Sequence, residues 1–203
     1  MKKIITTIFL ALSIMSANAQ THYLFGTCYN GGSWGVGSIF RADLDGSNLH
    51  TVHMFAHTDG AAPMGRMAQS ANGNIYGVTY LGGCLDSCVL FEYNPNTGTC
   101  FDIFDYACST SGGEPSNGGL NLASDGNLYG LQMGGVLYKF DPNTHIYTQL
   151  NQTGGLYYDG GIMKASDNAL YGTAYTGGIY SRELFLVTKY QQILIQRSTT
   201  STA

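Results

Sequence analysis

The sequence predicts an all-β chain of propeller-like four-stranded repeats, about 3.5 blades in all and therefore an incomplete propeller. Three observations carry that prediction. An aromatic-glycine signature recurs four times, a second apolar-aromatic pair follows each signature, and turn-forming residues punctuate the segments between them.

The signature reads Tyr23-Leu24-Phe25-Gly26-Thr27, then Asn74-Ile75-Tyr76-Gly77-Val78-Thr79-Tyr80, then Asn127-Leu128-Tyr129-Gly130, then Ala169-Leu170-Tyr171-Gly172-Thr173-Ala174-Tyr175. Its glycines stand 51, 53 and 42 residues apart. Alternation within it, with Ile75, Gly77 and Thr79 against Tyr76, Val78 and Tyr80, gives a sheet two faces that it cannot bury alone. Stacking such sheets radially covers those faces and leaves only short edges. The glycine after the aromatic is expected to let neighbouring backbone approach where a Cβ would clash.

The second landmark is Ile39-Phe40, Leu90-Phe91, Leu137-Tyr138 and Leu184-Phe185. The first three are followed by a turn, at Asp43-Leu44-Asp45-Gly46, Asn94-Pro95-Asn96-Thr97-Gly98 and Asp141-Pro142-Asn143-Thr144. Further strands are predicted at 49–55, 99–104 and 145–150. Each unit closes on Asn72-Gly73, Asp125-Gly126 or Asp167-Asn168, the first two being pairs that suit type I′ hairpins.

The run Leu170 to Gly178, with its weaker copy Ile75 to Gly83, resembles the GloVer-type (choice-of-anchor) tandem repeat of secreted bacterial proteins. Ser124-Asp125-Gly126-Asn127-Leu128-Tyr129-Gly130 is similar to the junction of that repeat, and the resemblance spans residues 22 to about 181. It implies a propeller-like secreted array and supplies no catalytic residues. None of the anchoring segments common in that family is recognisable here.

Residues 1–19 read as a signal peptide: Lys2 and Lys3, an apolar run from Ile4, and Ala17-Asn18-Ala19 as the cleavage site. That run is shorter than the roughly 18–20 residues that span a bilayer, so no membrane-spanning segment is expected. The location implied is secreted, extracellular or cell-surface, with the periplasm possible. The repeat domain covers 20–181, and 182–203 forms an atypical tail. That tail has no glycine and a formal charge of +2, against −8 for 20–181. Two readings stand there: a shifted frame or truncated gene near residue 182, or a genuine last strand from Leu184 to Tyr190. In either case the blades fall short of a usual ring of four to eight, which predicts a fragment, an open array or self-association through an open blade edge.

The whole chain carries a formal −4, and −6 once Lys2 and Lys3 are removed, which argues against a nucleic-acid partner. All five cysteines lie beyond the leader, in a compartment that permits disulfides. Two bridges among Cys84, Cys88, Cys100 and Cys108, with Cys28 free, is the expected count, and the pairing stays open. Zinc is the alternative for that cysteine group, but the spacing is not a two-residue knuckle and no histidine is near, so no metal site is assigned.

Other motifs read as structure. Gly31-Gly32-Ser33-Trp34-Gly35 fits a nucleophile elbow but lies in a glycine-rich loop equivalent to Gly82-Gly83-Cys84. His50, His53 and His57 cluster, yet odd spacing along a strand puts His50 and His53 on opposite faces. Asp43 to Asn48 has its glycine in the wrong place for a calcium loop. No catalytic residue and no cofactor are assigned.

Aromatics reach furthest towards function. Tyr29, Trp34, Tyr80, Tyr157, Tyr158 and Tyr175 fall in or near loops, where exposed rings suit sugar or protein recognition. The function predicted is therefore a secreted or cell-surface binding module for a glycan or protein. The alternatives are a fragment of a propeller enzyme, such as a polysaccharide lyase or hydrolase, and a purely structural surface array.

Overall fold

The computed structural model describes residues 22–83, 86, 88–106, 118–132, 136–152, 161–167, 169–174, 183–187 and 193–195. The expected leader at 1–19, Cys84, Cys108, Tyr157, Tyr158 and Tyr175 lie outside the described residues. Among those described there are only strands and no helix.

Four antiparallel sheets follow one another along the chain, and within each the strands are adjacent in sequence order. The first holds β1 (Tyr23–Cys28), β2 (Ser38–Asp43) and β3 (His50–Met54). The second holds β4 (Ala61–Gln69), β5 (Ile75–Leu81), β6 (Val89–Tyr93) and β7 (Cys100–Asp105). The third holds β8 (Asn121–Leu122), β9 (Leu128–Gln132), β10 (Val136–Asp141) and β11 (Ile146–Gln152). The fourth holds β12 (Ile162–Lys164), β13 (Leu170–Ala174), β14 (Glu183–Val187) and β15 (Ile193–Ile195). The propeller-like, all-β architecture predicted from the repeats is thus present, and the Leu184-Phe185 landmark lies on a strand paired with β13.

The strand that closes each sequence unit pairs with the signature strand of the next unit: β4 with β5, β8 with β9, β12 with β13. Sequence unit and sheet are therefore one strand out of phase.

Alternation sorts side chains into three cores between the four sheets. Ile75 joins Ile39, Phe55 and Phe91 between the first and second sheets. Its neighbours Tyr76 and Val78 point the other way, packing with Leu90, Leu128, Tyr138 and Phe140 between the second and third. Leu131, Leu137, Ile162 and Leu170 fill the third core. Each fully buried apolar side chain of this size contributes about 1.5–3 kcal/mol.

The signature glycine turns out to make room for a ring, not for backbone. Gly26 pairs with Phe40, Gly77 with Phe91 and Gly130 with Tyr138, so the landmark aromatic lies across the glycine of the neighbouring strand. A Cβ on any of these three glycines would enter that ring.

The turns also differ from the type I′ expectation. Gly73 and Gly126 have φ of 87° and 82°, but neither Asn72 nor Asp125 has a positive φ. The amide of Gly73 donates to Ser70 O at 3.0 Å and that of Gly126 to Ala123 O at 3.1 Å. Each glycine is the left-handed last residue of a turn that begins three residues earlier, the arrangement of a type I turn closed by a bulge. Asn72 and Asp125 supply side-chain acceptors to the amides of Asn74 and Asn127, at 3.0 and 3.1 Å.

Candidate functional site

Antiparallel order sends the β1–β2 and β5–β6 loops and the β3–β4 crossing to one end of the sheets. Hydrogen bonds knit these segments together. The Phe55 amide donates to Gly37 O at 3.1 Å, Ala62 N to Val36 O at 2.6 Å, and Gly83 N to His57 O at 3.0 Å. The loops of the first two sheets therefore form one continuous surface.

Trp34 stands at the tip of the β1–β2 loop and is 71% exposed. The loop is internally bonded: Gly37 N donates to Gly31 O at 2.9 Å and Gly35 N to Gly32 O at 3.2 Å. Gly31, Gly32, Gly35 and Gly37 all have positive φ, which lets the chain close so tightly. Ser33 rests its amide and hydroxyl on the Sδ of Met54, at 3.4 and 3.3 Å. That contact occupies the hydroxyl of the elbow-like motif. Tyr29 in the same loop and Met54 beside it are also exposed, so an aromatic and thioether patch is presented on ordered backbone. Tyr80 is placed differently: it is half-buried, packs against the core between the second and third sheets, and its carbonyl accepts from Cys88 N and Sγ.

Beside the patch lie two histidine–carboxylate contacts that the sequence did not single out. His53 Nε2 is 2.8 Å from Asp59 Oδ2, mostly buried, and His57 Nδ1 is 3.5 Å from Asp86 Oδ1, exposed. Burial would raise the Asp59 carboxyl, but the close His53 imidazole and the hydrogen bond from the Ala56 amide outweigh it and hold it below the ordinary carboxylate range. Asp102 goes the other way, raised by burial and then by the negative charges of Asp105 and Asp59. The clue to Asp59 was the turn-like string His57-Thr58-Asp59-Gly60, which names no partner by itself.

Histidine spacing misleads here. A β-bulge between Ile39 and Phe40 sets His50 opposite Arg41 and His53 opposite Ile39, which are on one face of β2. The predicted opposite faces are thus overturned by the extra residue. Even so, the two imidazoles take separate partners, His53 on Asp59 and His50 Nδ1 on Asn48 O at 2.6 Å.

The expected pair of disulfides is not seen among the described residues, and Cys84 and Cys108 lie outside them. Cys100 is a thiol at the start of β7, packed against the first core and pushed up by burial. Cys88 belongs to the second core, on the other side of the sheet, and donates Sγ–H to Tyr80 O at 3.0 Å. Among the described residues no group of three or more His, Cys, Asp or Glu is arranged to hold a metal.

The opposite end is built of turns. Asp43 and Asp45 are satisfied within theirs, Asp43 by Asn48 Nδ2 at 2.6 Å and Asp45 by the Ser47 amide at 2.9 Å. The signature tyrosines reach back to the turn: Tyr129 Oη donates to Asp125 Oδ2 and Tyr171 Oη to Asp167 Oδ2, each at 2.8 Å, while Tyr76 Oη receives from Asn72 at 2.9 Å.

Solved structures share this arrangement at low identity. The extracellular domain of a one component system from B. thetaiotaomicron matches with a TM-score of 0.58 and 16% identity, over 86% of this chain and 20% of its own. TolB from Acinetobacter baumannii matches with a TM-score of 0.55 and 16% identity, over 83% of this chain and 40% of its own. Oligogalacturonate lyase from Vibrio parahaemolyticus gives a TM-score of 0.50 and 12% identity, over 87% of this chain and 48% of its own. The chain thus spans from a fifth to about half of these structures, and the likeness is one of fold. No curated protein matches the sequence. The GloVer-type likeness read from the Leu-Tyr-Gly units holds across most of the length: the profile of the Gloeobacter/Verrucomicrobia repeat matches residues 12–185, and the chain belongs to that family.

Proposed function

We propose that this protein is an exported binding module that holds a glycan or a protein partner on the loop end of its first two sheets. The observation that carries this is Trp34, 71% exposed yet fixed on a hydrogen-bonded glycine loop beside Tyr29 and Met54. A ring held in water by ordered backbone loses little freedom on binding and can stack on a sugar face or enter an apolar pocket. Export is supported by the Lys2-Lys3 start, the apolar run and Ala17-Asn18-Ala19.

Trp34 is the single tryptophan, so its emission reports on this surface without interference. Titration with a glycan panel, alongside capture of surface proteins, should find a ligand that shifts the emission. Trp34→Ala should weaken binding of that ligand by at least about tenfold, the scale of a ring at the centre of a contact. A ligand bound equally well by Trp34→Ala, or none in either screen, refutes the proposal. Amino-terminal sequencing of the exported protein should begin at Gln20.

A further inference from the structure

The residue after the landmark aromatic is charged in each of the first three sheets: Arg41, Glu92 and Lys139. Glu92 is closed off by its surroundings. Asn74 of its own sheet donates to it, and His145 of the third sheet stands with Nε2 3.0 Å from its Oε2. His145 is the left-handed residue of its turn, its amide donating to Asp141 O at 2.9 Å. Gly98 holds the same place in the turn before, its amide donating to Asn94 O at 2.9 Å, also with a positive φ. By that equivalence the second sheet offers Arg41 a glycine where the third offers Glu92 an imidazole.

Arg41 is left with the ring of Tyr23, over which its guanidinium lies 4.2 Å from the centroid. It is half-buried, and among the described residues no carboxylate pairs with it. A stacked guanidinium spends its face and keeps the N–H donors of its edge for another partner. Burial raises the Tyr93 phenol of the second sheet and the charge of Arg41 works against that rise, so the guanidinium sits near the junction of the two sheets.

Around it opens a cleft of about 590 Å³ lined by Tyr23, Arg41, Asp43, Asn48, Leu49 and His50, a size that suits a small molecule. Asp43 is engaged by its own turn, its Oδ2 accepting from Asn48 Nδ2 at 2.6 Å and from Ser47 Oγ at 3.4 Å. One cation beside one engaged carboxylate favours a ligand with a single negative charge over a dianion. His50 Nδ1 lies 2.6 Å from Asn48 O. A carbonyl can only accept, so Nδ1 carries the proton, and in the neutral ring Nε2 is then an acceptor for a hydroxyl.

We infer that this cleft binds a hydroxylated carboxylate, a sugar acid or hydroxy acid carried as a monoanion. Arg41 takes the carboxylate on its edge and His50 accepts from a hydroxyl of the same molecule. The cleft lies at the turn end of the first sheet, away from Trp34, and is independent of the loop-end reading.

Calorimetric titration of the exported chain with glucuronate tests it, with glucose and inorganic phosphate for comparison. Glucuronate should bind saturably, and glucose, which lacks the acid, and phosphate should each bind at least about tenfold more weakly. Arg41→Gln should weaken glucuronate at least about tenfold through loss of a charge-assisted pair. The loop end is unchanged in that variant, so the affinity lost belongs to the cleft. Gly98→Asp leaves Arg41 itself intact. A Cβ at Gly98 meets nothing within 4 Å and aspartate tolerates the positive φ, so the fold should persist by circular dichroism. Its carboxylate, placed as His145 is on the third sheet, should pair with Arg41 and weaken glucuronate too. No binding at about 10 mM glucuronate, glucose or phosphate bound as tightly, or either variant equal to wild type would each overturn the inference.

Discussion

The two ends of the sheets obey different rules. At the turn end, Asn72, Asp125 and Asp167 each place a side-chain acceptor on the amide two residues on and contact the signature tyrosine four residues on. At the loop end, segment 29–37 closes on four positive-φ glycines, whereas 55–60 is held by Asp59 on the Ala56 amide. Local chemistry fixes the first end repeat after repeat, while the second is free to change its residues, because the cores between the sheets already hold the strands. That division places stability between the sheets and at the turns, and leaves the loops free to vary.

Deleting a core ring should hurt most. Phe91→Ala should cost about 3–5 kcal/mol in urea unfolding, since it empties both the first core and the space over Gly77. Trp34→Ala at the loop end should stay within about 0.5 kcal/mol. Similar losses for the two would break the division between the ends. Next, Gly73→Ala and Gly126→Ala should each cost about 1–2 kcal/mol. A Cβ at either site meets nothing within 4 Å, so the cost is that of the positive φ alone.

Asp125→Ala should cost about 0.5–1.5 kcal/mol at neutral pH, towards the lower end because the group is exposed. Burial works against the carboxylate, but bonds from Asn127 and Tyr129 lower its pKa below the ordinary value. A lowered folded value means that the stabilisation is complete above the unfolded value of about 4 and is lost as pH falls through the folded one. The wild type should therefore lose its advantage over Asp125→Ala in that acid window, which urea unfolding at a series of pH values will show. The smallest effect is spectroscopic. Burial and then the bond to Asp125 push the Tyr129 phenol up, so in an absorbance titration it should ionise after the exposed tyrosines, and earlier in Asp125→Ala.

Much of this fold can be read directly from the chain. The signature and landmark strands announce themselves because alternation and β-rich composition coincide at Ile75 to Tyr80 and Val89 to Tyr93. The strands β4, β8 and β12 do not. Pro63 and Gly65 interrupt the pattern of the first, and the others are two and three residues long, too short for any period to show. Missing them hides the one-strand offset between unit and sheet. The ring over each glycine is a cross-strand contact between residues 8–14 positions apart, which no local pattern encodes. At the site, loop position pointed to Tyr29, Trp34 and Tyr80 alike. Only packing separates the exposed pair from Tyr80, because exposure depends on what the neighbouring sheet covers.

The one-strand offset bears on how such arrays lengthen. A unit copied in the gene, from signature to the strand before the next signature, would complete the sheet before it and begin the sheet after it. Insertion or loss of a whole unit therefore always rejoins a three-strand remainder to a single strand of the same kind. Copy number can drift without ever creating a new sort of seam, and the number of sheets becomes a heritable variable separate from the loops each one displays.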